Sequence, residues 1–122
     1  MFSPELTAQT EATLHHRLKC FAAGDIDGIM SDFADDAVLI GMEGVVDNLA
    51  GIRAMFTKII TEYIPKGSTI TMKLALARGT VAYILWSAES PAFSIPVGSD
   101  TFVMRDGKII AQTFAAHIQS KG

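Results

Sequence analysis

The sequence predicts an α+β fold, with helices first and antiparallel strands after them. Three observations carry this. Before Pro65 the apolar residues recur at helical spacing. After it they alternate with the period of a strand. Near the end, Asp106-Gly107 lies between two apolar runs, the signal of a two-residue hairpin turn. The 122 residues contain no repeat, low-complexity run or linker, so residues 1–122 are read as one domain.

The first helix is expected from Pro4 to Ala23. Proline suits a first helical turn, Ser3 can cap it, and Gly24 can end it. Leu14, Leu18, Phe21 and Ala22 form its apolar stripe. Asp25 or Asp27 can cap a short second helix reaching Phe33. Asp35-Asp36 read as a turn and Ala37–Ile40 as a short strand. Asp47 or Asn48 opens a third helix from Leu49 to Tyr63, which Pro65 and Gly67 stop. Its stripe is Ile52, Met55, Phe56, Ile59, Ile60 and Tyr63. Strands follow at 68–77, 80–89, 93–96, 99–104 and 109–118. In the first, Ile70, Met72, Leu74 and Leu76 are placed on one face. The second, around Val81–Trp86, is apolar on both faces. Helices can cover one face, and a second subunit is the simplest cover for the other.

Composition narrows the function. Hydrophobic types reach 49% and charged types only 19%, which excludes a disordered chain. A net charge of −3 without a basic patch gives nucleic acid nothing to hold, so no such partner is expected. One cysteine, Cys20, excludes an internal disulfide framework and a cysteine-based zinc site. His15, His16 and His117 lack metal-ligand spacing, so no metal is expected. No apolar run approaches the roughly 18 residues of a membrane helix. The opening segment lacks the basic-then-apolar order of a signal peptide, and a cytoplasmic location is expected. There is no GxSxG, P-loop or dinucleotide fingerprint, and no cofactor is expected.

Three segments carry a resemblance. They are Phe21-Ala22-Ala23-Gly24-Asp25-Ile26-Asp27-Gly28-Ile29 continuing to Phe33-Ala34-Asp35-Asp36-Ala37-Val38-Leu39, then Gly51-Ile52-Arg53-Ala54-Met55-Phe56, then Asp100-Thr101-Phe102-Val103-Met104-Arg105-Asp106-Gly107-Lys108-Ile109. In order and spacing they resemble the nuclear transport factor two-like superfamily, which includes ketosteroid isomerase, SnoaL-type polyketide cyclases, limonene-epoxide hydrolase and scytalone dehydratase. The resemblance implies a cystatin-like cone, in which three N-terminal helices pack on a curved antiparallel β-sheet enclosing an apolar pocket. It also implies a homodimer through the outer face of that sheet.

The candidate catalytic residue is Asp100, a carboxylate in an otherwise apolar strand. By resemblance to ketosteroid isomerase it is a neutral acid donating to an oxyanion, the handling of a buried carboxyl for which that enzyme is the standard example. The alternative is a structural carboxylate satisfied by backbone donors or a salt bridge. Arg17 lies about 60° from Leu14 around the first helix, at the edge of its apolar face. It can pair with Asp100 or hold an anion, or else its stem can snorkel over the core. His16 points to the opposite, solvent side, and Cys20 has no evident activating base. Gln112 and Phe114 share one face, which the resemblance turns inward, where Gln112 orients a ligand or meets a backbone group. His117 falls on the outer parity. Phe21, Met42, Phe56 and Phe102 complete the expected pocket lining, the methionines as soft cavity wall or core filler. By the resemblance Tyr83 and Leu85 face inward and Trp86 outward. The isomerase's tyrosine and general base align with Arg17 and Gly41, so that reaction itself is not expected. What is expected is binding of a small apolar ligand. The alternatives are a cofactor-free isomerase, cyclase or dehydratase acting on an apolar carbonyl compound, or a dimerisation module with a vestigial pocket.

Overall fold

The computed structural model describes residues 3–122. The first helix, α1 (Pro4–Ala23), starts where Ser3 accepts from the Leu6 amide, and ends at Gly24 with φ 67°. In α2 (Ile26–Ser31) Asp25 is the cap, accepting from Gly28 N at 3.0 Å. Strand β1 (Phe33–Gly41) turns into a short β2 (Gly44–Val46). Asn48 caps α3 (Leu49–Lys58), whose last residues widen into a π-helical turn over Ile59–Tyr63. Four strands complete the chain: β3 (Thr69–Arg78), β4 (Val81–Glu89), β5 (Phe93–Arg105) and β6 (Lys108–Ser120).

These strands form one six-stranded sheet in the order β2-β1-β6-β5-β4-β3. All pairs are antiparallel except β1 with β6, which is parallel. The parallel pair departs from a run of hairpins, because the first strand is brought back beside the last. Asp35-Asp36 lie inside β1, at an irregularity between Phe33 and Val38, and do not break it. The segments 93–96 and 99–104 are likewise one strand, interrupted by a bulge opposite β4.

Bulges also decide which way the β3 side chains point. Met72 pairs with Trp86, but Leu74 pairs with Leu85, so the alternation shifts at Lys73. An extra residue in one strand of a pair reverses the faces beyond it. Ile70 and Met72 therefore join the inner face, whereas Leu74 and Leu76 stand outside, corrected from the single face expected of them. On β4 the inner set is Ala82, Ile84, Trp86 and Ala88, each under 9% exposed. Tyr83 and Leu85 face out, and Trp86 faces in, the reverse of the parity expected from the resemblance.

Helix α1 crosses the sheet and is fastened to two hairpin turns by threonines. Thr7 Oγ1 accepts from Gly79 N at 2.9 Å, Thr10 donates to Gly79 O, and Thr13 donates to Gly107 O at 2.8 Å. Both turns need left-handed backbone: φ is 59° at Gly79, 52° at Asp106 and 76° at Gly107. These contacts rotate the buried face of α1 toward Thr10, Thr13 and Arg17, and leave Ala22 exposed. Thr10→Val keeps the shape but strands a buried carbonyl. It is expected to lower the unfolding free energy by about 1–2 kcal/mol in a urea titration. No change would mean that the turn carbonyl finds another donor.

Candidate functional site

Between α1, α3 and the inner face of the sheet lies a cavity of about 490 Å³, within the range of small-molecule sites. Its wall is mostly apolar. The exposed lining residues are Met42, Glu43, Gly44, Ala54, Lys58 and Met72, so the mouth opens between the β1–β2 turn and α3.

The polar floor is a chain of four side chains. Arg17 Nη2 donates to Gln112 Oε1 at 2.8 Å. Gln112 Nε2 donates to Asp100 Oδ2 at 2.8 Å. Trp86 Nε1 donates to Asp100 Oδ1 at 2.9 Å. All four residues are buried, Arg17 to 3% exposure, Asp100 to 8% and Gln112 to 2%. Arg17 and Asp100 therefore do not form the direct pair weighed from the sequence, because the Gln112 carboxamide stands between them.

Aromatic rings make the burial of Arg17 possible. Its guanidinium carbon lies 4.5 Å from the centre of Phe56, 5.1 Å from Phe33 and 5.4 Å from Phe102. Nη1 has no hydrogen-bond partner among the described residues, and the ring faces are what surround the group. Burial pushes its pKa down to about 10, opposed by the charges of Asp100 and Asp32, so it stays a cation at neutral pH.

Asp100 sits opposite Ile84 on β4 and Phe114 on β6. Burial raises its pKa, while the bonds from Trp86 and Gln112 and the charge of Arg17 pull it down again. Trp86 can reach Asp100 because Gly98 is its β5 partner. A Cβ on Gly98 would lie 2.4 Å from the indole ring. The indole also stacks on Phe114, with centroids 6.4 Å apart and planes 12° apart.

Of the residues expected in the site, Asp100, Arg17, Phe21, Met42, Phe56, Phe102, Gln112 and Phe114 line this cavity. Tyr83 and Leu85 do not. They line a shallow groove on the outer face with Val97, Ser99 and His117. Trp86 is the site residue that sequence reasoning missed. Alternation is silent in a strand apolar on both faces, but Gly98 carried a usable signal. A glycine inside a strand, two residues from Asp100 on the same face, marks the close approach of something large.

A second polar cluster lies outside the cavity. His16, expected in solvent, is half exposed, and its Nδ1 is 2.8 Å from the Asp32 carboxylate. Its Nε2 is 3.5 Å from Cys20 Sγ, so the cysteine does have an imidazole beside it. Burial and the charges of Asp25 and Asp32 push the thiol pKa up, which makes Cys20 a poor nucleophile. Among the described residues no group of three or more His, Cys, Asp or Glu is placed to hold a metal ion. No described helix is long and apolar enough to cross a membrane.

The opposed influences on Asp100 can be measured. Its carboxyl carbon signal should titrate with a midpoint above the ordinary 3.8. Between that value and its folded midpoint the folded state keeps a proton that the unfolded state has released. Its contribution to stability therefore falls as pH rises through that window. Arg17→Met removes the favourable charge and should move the midpoint higher still. A wild-type midpoint at or below 3.8 would contradict this balance.

Comparison with known proteins places this geometry. Residues 14–112 match the family model described as a SnoaL-like domain. No curated protein matches the sequence. Among solved structures, an NTF2-like protein of unknown function from Mesorhizobium loti superposes with a TM-score of 0.77 at 14% identity, covering 91% of this chain and 93% of that one. An epoxide hydrolase from M. tuberculosis, described as LEH-like, gives 0.72 at 14% identity, over 93% and 86%. A protein of unknown function with a cystatin-like fold from Nostoc punctiforme gives 0.66 at 15% identity, over 95% and 94%. At these identities the likeness concerns fold. The family model spans most of the chain, and the chain belongs to the SnoaL-like domain family.

Proposed function

We propose that this protein binds a small, largely apolar, uncharged organic molecule in the cavity, with its polar end at the Trp86–Asp100–Gln112–Arg17 floor. The observation that carries this is an apolar space of about 490 Å³ ending in a hydrogen-bonded polar floor. Apolar walls supply affinity, and a few fixed polar groups supply orientation. The mostly apolar wall also argues for an uncharged ligand, because an ion would have to leave water for a largely apolar space. Binding without turnover is favoured because the position where the resemblance puts a proton-transferring aspartate is Gly41, on the cavity wall. Trp86 is the chain's single tryptophan, so a bound molecule should change its emission. Protein isolated from its native host should carry an added small-molecule mass in native mass spectrometry. Its removal should shift Trp86 emission. A clean mass in repeated preparations, with emission indifferent to added apolar compounds, would exclude the reading.

The working unit of this proposal is a homodimer through the outer sheet face. Ile40, Leu74, Leu76, Val81 and Val97 are all more than a third exposed there, and Leu76 reaches 56%. Exposed apolar surface of this kind calls for a partner, and a second copy brings the same surface. Light scattering at micromolar concentration should give twice the chain mass of 13.1 kDa. Leu76→Lys should return a folded species of single-chain mass. A monomeric wild type would refute the dimer and leave the cavity reading untouched.

A further inference from the structure

We propose that the floor selects its ligand by a hydroxyl or N–H donor, with Asp100 as an ionised hydrogen-bond acceptor; this rests on the ligand-binding reading above. Arg17 has only donors to offer, so the Gln112 atom facing it is the carboxamide oxygen. That turns the Gln112 nitrogen toward Asp100. The indole of Trp86 also has only a donor. Both side chains that touch Asp100 therefore donate to it, one on each oxygen. A proton on Asp100 would have no side-chain acceptor among the described residues to receive it.

Each carboxylate oxygen accepts about two hydrogen bonds, and each has one here. Acceptor capacity is left over on a residue that lines the cavity. A ligand hydroxyl would use it, whereas a ligand carbonyl would bring a second acceptor against the first. This reverses the role that the resemblance gives Asp100, which is donation to an oxyanion. The ligand class is then an apolar alcohol, or an apolar compound with one N–H, in preference to the ketone of the same skeleton.

Borneol and camphor test this, since they share one bicyclic carbon skeleton and differ as alcohol and ketone. Their dissociation constants are read from Trp86 emission and by calorimetry. Borneol should bind at least about tenfold tighter than camphor, the range of a hydrogen bond to a charged group. In Asp100→Asn the preference should fall to within about threefold. Should that variant fail to fold, the wild-type Asp100 carboxyl carbon signal decides, because borneol should shift it more than camphor does. Equal affinities, tighter camphor, or a preference that survives in Asp100→Asn would overturn the proposal. Binding of neither compound would count against the cavity reading itself, an outcome distinct from equal binding.

Discussion

One buried cation sets the polarity of everything around it. The Arg17 guanidinium can donate and cannot accept, and it is held against three phenylalanine rings where it cannot turn to solvent. Gln112 must present oxygen to it, and so presents nitrogen to Asp100. Asp100 must then accept, and Trp86 donates to its other oxygen from the neighbouring strand. Residues from β4, β5 and β6 are thus joined to the arginine of α1 in one chain of donors and acceptors. Isolated, either charge would cost several kcal/mol to bury. Relayed through a carboxamide, the two are tied into one hydrogen-bonded chain at the end of an apolar space.

Much of this was legible in the sequence, and what was not has a physical cause. The caps at Ser3, Asp25 and Asn48 are local chemistry, and local chemistry survives folding. Angular arithmetic on one helix puts Arg17 at the edge of its apolar face, whereas parity gives Gln112 and Phe114 a common face that only the resemblance turns inward. The resemblance puts Trp86, Tyr83 and Leu85 on the wrong faces, and nothing in the pattern corrects it, because Val81–Trp86 is apolar on both faces and lacks the alternation that assigns one. The bulge at Lys73 is a property of two strands together and leaves no mark in either one. The imidazole beside Cys20 lies one turn earlier on the same helix, a spacing readable in principle. It is Asp32, at the end of another helix, that fixes the ring there.

The superposed proteins share the architecture at 14–15% identity, and one of them is an epoxide hydrolase while others have no known function. This architecture of sheet and helix constrains where a cavity can be, and leaves open what its floor contains. In this chain the floor is built from an arginine, a carboxamide, a carboxylate and an indole. Its specificity has to be argued from those four groups.

Gly98 has a consequence for how the chain folds. A strand that is apolar on both sides has two nearly equivalent registers, because a slip of one residue exchanges one greasy set for another. Burial alone penalises that slip weakly in β4. The slipped strand would bury Tyr83 and Leu85 and expel Trp86. The flat space over Gly98 accepts the indole in one register only, and the Asp100 carboxylate rewards the same choice. A missing side chain thus acts as the key that tells one strand which way up it lies. Filling that space would threaten the uniqueness of the fold before it threatened its hydrophobicity.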